Sequence, residues 1–142
     1  MAATALFGSG WQEDTRNRIV YCGIDAEAFA RRQDTSAEVM RPAGSTRELL
    51  IGHVGRFAEQ KNHAFLLEVA AAVLQREPSA RLLLIGDGPL RAQVAERAAQ
   101  LRIADRVTFA GHRADVAGLL GQMDVFVLPS LFEGLPFVGL EA

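Results

Sequence analysis

Leu49-Leu50-Ile51-Gly52-His53-Val54-Gly55-Arg56-Phe57 opens the part of the chain whose pattern decides the fold. Its first six residues are almost continuously apolar, as a parallel strand buried on both faces requires. A polar loop follows, and Asn62 is suited to cap a helix in which Phe65, Leu66, Val69, Val73 and Leu74 recur at helical spacing until Pro78 bars continuation. The pattern then repeats. Arg81-Leu82-Leu83-Leu84-Ile85 reads as a second strand broken by Gly86-Asp87-Gly88-Pro89, and Leu90, Val94, Ala98 and Leu101 line one face of a second helix. Arg106-Val107-Thr108-Phe109 reads as a third strand. Val116, Leu119, Leu120 and Met123 mark a short third helix, and Val125-Phe126-Val127-Leu128 a fourth strand. Apolar runs alternating with helical patterns predict an α/β fold, a Rossmann-like parallel sheet with flanking helices.

Outward from this block the signals weaken. Residues 1–47 read as a lead-in and interdomain-type segment, ahead of a domain over residues 48–142. Within the lead-in, Arg18-Ile19-Val20-Tyr21 is a strand candidate ended by Cys22-Gly23-Ile24-Asp25, and short helical turns are expected near residues 26–30 and 36–40.

Composition narrows the function. With 49% hydrophobic residues in a chain of 142, a real core is expected, and disorder is excluded. The net charge of −2 without a basic cluster argues against a nucleic-acid or anionic-membrane surface, so any bound phosphate has to be held by local groups. Cys22 is the sole cysteine, which leaves no disulfide framework and favours a reducing compartment. His53, His63 and His112 form no metal-ligand motif. No signal peptide or membrane span is legible, and a soluble, cytoplasmic product is expected.

In a parallel sheet, ligands bind beyond the carboxyl ends of the strands, near the point where strand order reverses. Four segments are therefore expected on one rim: Gly55-Arg56-Phe57, Gly86-Asp87-Gly88, Gly111-His112-Arg113 and Pro129 to Glu133. Arg56 can offer a planar fork to phosphate and Lys61 a mobile point charge, unless each merely pairs with Glu59. Gly86 and Gly88 let the backbone turn tightly and approach a ligand, or serve a plain strand-to-helix turn. The loop is neither a dinucleotide fingerprint nor a P-loop. His112 and Arg113 are placed to lie against a nucleobase or to sit in solvent, Asp115 to support a helix start, and His53 to serve as a hydrogen-bonded core residue, with a general base the alternative.

The closing stretch, Leu128-Pro129-Ser130-Leu131-Phe132-Glu133-Gly134-Leu135-Pro136, continues to Glu141 and Ala142. Pro136 suits a first helical position, and the free N–H groups of that turn attract an anion. Glu133 then precedes the helix while Glu141 lies a rise of about 7.5 Å along it. This separation suits a ligand with hydroxyls at both ends and phosphate between, such as a nucleotide sugar; two glutamates on a surface helix are the plainer alternative.

Jointly these residues resemble the nucleotide-sugar-binding C-terminal domain of GT-B glycosyltransferases, in particular the large retaining family 4 (group 1). The matching pieces are Gly23-Ile24-Asp25 with Phe29, Val54-Gly55-Arg56-Phe57 with Lys61-Asn62, Leu84 to Leu90, Val107 to Gly111, and Leu128-Pro129-Ser130 leading to Glu133 and Glu141, which looks like the family's E-x7-E motif. The resemblance implies that Arg56 and Lys61 hold the donor diphosphate, that Glu133 contacts donor-sugar hydroxyls, and that Glu141 binds the ribose diol. It further implies that backbone groups of Gly134 and Leu135 touch phosphate or sugar, and that backbone near Gly111, His112 and Arg113 reads the base. The donor implied is a UDP- or GDP-sugar, with no metal or other cofactor, and the acceptor a glycan or lipid-linked molecule, which suits a parent enzyme at the inner face of the membrane. Asn62 stands where many members have glycine, and Cys22 where many have asparagine. The resemblance covers residues 18–142 and includes no acceptor domain, so a truncated fragment, inactive alone and prone to self-association, is expected. A non-catalytic nucleotide- or sugar-binding α/β module and a sugar-nucleotide epimerase of the same architecture are the alternatives.

Overall fold

The computed structural model describes residues 9–10, 13, 48–134 and 138–139. Four strands in this region form one parallel sheet: β1 (Leu50–Val54), β2 (Arg81–Ile85), β3 (Val107–Gly111) and β4 (Val125–Phe126), in the order β3-β2-β1-β4. Helix α1 (His63–Arg76) connects β1 to β2, α2 (Arg91–Gln100) connects β2 to β3, and α3 (Val116–Leu120) connects β3 to β4. The sheet therefore grows in one direction from β1 and then returns to β1's free side.

Burial follows this winding. In β2, Leu82 and Leu84 join Ile51, Leu66, Leu67, Ala70, Val94 and Ala98 beneath α1 and α2. Leu83 and Ile85 face the other way, to Leu50 and Leu119 of α3. Both faces of β2 are covered, which is why its four apolar residues run without interruption. Burying each such side chain contributes about 1.5–3 kcal/mol.

The central elements match the sequence reading to within a residue or two, and the differences have physical causes. Phe65, expected on the buried face of α1, is 52% exposed, while Leu67 and Ala70 are buried. The apolar stripe has turned toward Leu67 because α1 packs against both the sheet and α2. β4 is two residues long rather than four: Val127 N–H still bonds Gly52 C=O at 2.9 Å, but Val125 is 45% exposed at the sheet edge. Asp124 lashes this strand to β1, accepting Leu50 N–H on its carboxylate and donating its own N–H to Leu50 C=O, both at 2.9 Å.

The expected N-terminal strand and turns and the helix from Pro136 lie outside the described residues, apart from Val138 and Gly139, which have helical backbone. Among the described residues no helix is long and apolar enough to cross a membrane.

Candidate functional site

Strand order reverses between β1 and β4, so the crevice beyond their carboxyl ends is where an open α/β sheet takes its ligand. The loop after β1 borders that crevice on one side, with the loops after β2 and β3 beyond it, and the segment after β4 borders it on the other.

On the β2 and β3 side, backbone is stacked on backbone. Gly55 N–H bonds Ile85 C=O at 2.9 Å, Phe57 N–H bonds Asp87 C=O at 3.1 Å, and Leu90 N–H returns to Phe57 C=O at 3.1 Å. A Cβ at Gly86 would stand 2.2 Å from Gly55 O, and one at Gly88 2.6 Å from Phe57 O. The close approach expected of these glycines is thus to the neighbouring loop. Gly86 also adopts φ of +130°, which a side chain would resist. The stack frames a hollow of about 390 Å³ lined by Gly55, Arg56, Gly86, Asp87, His112 and Arg113 among others. Arg56 is exposed there and makes no ion pair among the described residues. Arg113 is gripped by Asp115 through two bonds of 2.7 and 2.6 Å, which raise its pKa and lower that of the carboxylate. Asp115 occupies the position before α3 as expected, but its side chain caps no backbone N–H, being committed to Arg113.

On the β4 side the arrangement is closed. Lys61 Nζ donates to Glu133 Oε1 at 2.6 Å, with the two side chains 17% and 20% exposed. Lys61 is therefore not paired with Glu59. Three further bonds set the same two loops against each other: Leu131 N–H to Gln60 C=O at 2.8 Å, Gln60 Nε2 to Phe132 C=O at 2.8 Å, and Asn62 Nδ2 to Pro129 C=O at 3.4 Å. Asn62 sits before α1 as expected but caps nothing with its side chain, and its backbone is left-handed with φ 51° and ψ 46°. Asn is among the residues with a Cβ that tolerate this conformation best.

Glu133's carboxyl is held below its usual range, first by the hydrogen bond from Lys61 and next by the Ser130 hydroxyl. Among the described residues the Ser130 hydroxyl makes no hydrogen bond of ordinary length and angle, so Lys61 carries the effect.

Two buried histidines underlie this half. His53 Nδ1 lies 2.9 Å from Val127 C=O, and because a carbonyl only accepts, Nδ1 carries the proton and Nε2 keeps its lone pair. A Cβ at Gly55 would stand 2.8 Å from His53 Nε2 and 3.3 Å from Lys61 Cδ, so Gly55 is what lets the loop cross over this ring. His63 stacks on Phe57 at 4.3 Å and meets His53 edge-on at 5.0 Å. Burial lowers the pKa of both rings, that of His63 to about 4, with further depression of His63 by His53.

The structure thus places Gly55, Arg56, Gly86, Gly88, His112 and Arg113 around the loops beyond β1, β2 and β3, and Gly55, Lys61, Glu133 and Gly134 in or next to the β1–β4 crevice. Leu135 and Glu141 lie outside the described residues. Gln60 and His63 escaped the sequence reading: neither side chain belongs to a periodic stripe or a motif, and their roles come from contacts across the chain. A larger hollow of about 520 Å³ lies between α1 and α2, with His63, Val94 and Arg97 in its lining.

A parallel sheet whose strand order reverses, with charged groups at the crevice, is a Rossmann-like arrangement. The sequence profile of the family described as glycosyl transferases group 1 matches residues 48–142, and the chain belongs to that family. It is 42% identical over 142 residues to the putative glycosyltransferase EpsF of Bacillus subtilis, covering 99% of this chain and 37% of that protein. It is 32% identical over 128 residues to a GDP-mannose-dependent phosphatidylinositol dimannoside mannosyltransferase of Mycobacterium tuberculosis, covering 90% of this chain and 33% of the relative. The chain thus spans about a third of the length of these relatives. In fold it is similar to Anabaena Alr3699/HepE, solved in complex with UDP and glucose, with a TM-score of 0.70 at 23% identity over 88% of this chain and 35% of the other.

Proposed function

We propose that this chain supplies the donor-binding part of a retaining glycosyltransferase that moves a hexose from a UDP- or GDP-sugar to a glycan or lipid-linked acceptor. The observation that carries the reading is the Lys61–Glu133 pair at the β1–β4 crevice, with Arg56 exposed on the adjoining loop. A cation set beside a carboxylate suits a ligand in which a diphosphate adjoins sugar hydroxyls. Arg56 and Lys61 would offset the charge that builds on the departing nucleoside diphosphate, the task for which fixed cations serve best. Glu133 would orient the hexose, Glu141 would take the ribose diol, and backbone of Gly134 and Leu135 would meet phosphate or sugar.

The base would lie in the hollow lined by Arg56, His112 and Arg113, read by backbone groups of the loop after β3. Relatives and neighbours carry both GDP- and UDP-linked names, which supports the donor class and leaves the base open. Neutralisation by side chains makes transfer independent of divalent metal, and the parent enzyme works at the cytoplasmic face of the membrane.

Calorimetric titration of the chain with UDP and with GDP tests the reading. One nucleotide binds, and Arg56→Ala weakens it by about ten- to a hundredfold, the loss of a charged hydrogen bond. Equal binding by wild type and Arg56→Ala would place the nucleotide elsewhere.

A further inference from the structure

We infer that the Lys61–Glu133 ion pair is an interlock that favours the hexose-bearing nucleotide over the free nucleoside diphosphate. The inference rests on the donor-site reading above and extends it to discrimination between substrate and product.

Lys61 is not a free cation awaiting phosphate. Its ammonium donates to Glu133 Oε1 at 2.6 Å, in a place where both side chains are largely covered. Nor is the contact a chance meeting of two long side chains. The bonds from Leu131 N–H to Gln60 C=O and from Gln60 Nε2 to Phe132 C=O, both 2.8 Å, fix the two loops on either side of it. Gly55 lies against the Lys61 stem, and His53 is buried beneath with Nδ1 bonded to Val127 C=O, so the floor of the pair is held from β1 and from the end of β4. Any diphosphate that engages Lys61 has to share it with, or take it from, Glu133.

What happens to Glu133 then depends on the ligand. A half-buried carboxylate that loses its partner is costly unless another donor replaces it. A nucleotide sugar brings hydroxyl groups next to its diphosphate, and these donate to Glu133 as Lys61 turns to the phosphate. A free nucleoside diphosphate brings none. It ends instead in a terminal phosphoryl group whose second ionisation adds negative charge at neutral pH, and that charge faces the released carboxylate. In the nucleotide sugar the same oxygen is esterified and carries no such charge. The ion pair therefore taxes the product more than the donor, which speeds clearance of the site after transfer.

The test compares UDP and GDP with UDP-glucose and GDP-mannose as probes, by calorimetry on the full chain in four forms: wild type, Glu133→Gln, Glu133→Asp and Arg56→Ala. Thermal melts without ligand confirm that each variant is folded. Glu133→Gln tightens the free nucleoside diphosphate about tenfold, because the repelling charge is gone. It leaves the sugar conjugate unchanged or weaker, so the donor-to-product preference drops by tenfold or more. Glu133→Asp, which keeps the charge, keeps most of the preference, and Arg56→Ala weakens both ligands alike. Equal changes for both ligands in Glu133→Gln, or a free diphosphate that binds no tighter, overturn the interlock while the response to Arg56→Ala upholds the donor site. A wild-type chain that binds neither ligand overturns the donor-site reading and the interlock together.

Discussion

Arg56 and Lys61 leave the same loop, five positions apart in the chain, yet meet opposite fates. Arg56 stands exposed beside the stacked loops of β2 and β3, and Lys61 is already spent on Glu133 in the crevice toward β4. The first half of the rim is built of backbone, with glycines as its joints, and presents an open hollow. The second half is built of side chains bonded across the crevice and is closed on itself. Rigid backbone on one side and an exchangeable ion pair on the other amount to a division of labour: the open half can receive a ligand without rearrangement, and the closed half has to exchange a partner.

The strongest way to break the open half is at Gly86. Its Cβ would fall 2.2 Å from Gly55 O, a backbone atom that cannot rotate aside, at φ of +130°. Gly86→Ala is expected to destabilise the chain by roughly 3–4 kcal/mol, overpacking and backbone strain together. Gly111→Ala supplies the control: φ is +68°, but a Cβ there meets nothing within 4 Å, so only the strain of about 1–2 kcal/mol applies. Urea denaturation of the pair checks the difference. Similar losses at the two positions would show that the loops do not stack as described.

The closed half is the acid-sensitive one, because His53 and His63 lie beneath it as neutral rings. Their folded pKa values are depressed, His63 to about 4 from 6.5, so between those limits the unfolded chain binds protons that the folded chain refuses. Stability from these rings is complete above pH 6.5 and falls as the pH is lowered, by about 3 kcal/mol for His63 once pH 4 is reached. Glu133 acts in a lower window, since its depressed pKa holds its contribution until more acid conditions. Urea midpoints at pH 7.5, 6 and 5 should descend in order for wild type and flatten in His63→Leu. A wild type equally stable at pH 7.5 and 5 would mean that the rings charge freely while folded.

The two halves also differed in how far they could be read in advance. β1, β2 and their loops were legible because each signal is local: an uninterrupted apolar run for a strand buried on both faces, and glycines at the turn that ends it. The Lys61–Glu133 pair joins residues 72 positions apart, and no spacing announces it; the only carboxylate the sequence offered Lys61 was the neighbouring Glu59. His63 belongs to no apolar stripe in the sequence and yet is core, because Phe57, placed by the β1 loop, stacks on its ring. Phe65 failed in the opposite direction. A helix that touches a sheet and a second helix has a wide buried arc, and which apolar residues fall within it depends on where α2 lies. The sheet edge behaved likewise, since β4 stops pairing where there is no neighbour on its far side among the described residues.

The finest distinction falls on Asn62, where the two halves join. Its left-handed backbone starts α1 at the angle that brings Lys61 to Glu133, and its side chain reaches Pro129 C=O at a long 3.4 Å. If the conformation matters more than this weak bond, glycine serves nearly as well, because it loses the bond but relieves the strain at φ 51°. Asn62→Gly should then stay within about 0.5 kcal/mol of wild type, while Asn62→Ala, with neither the bond nor the tolerance, loses about 1 kcal/mol. Chemical denaturation of the two variants decides between conformation and contact. Should glycine cost as much as alanine, the Pro129 bond is what seats the β4 loop, and the closed half is held by side chains at one more point than its backbone geometry requires.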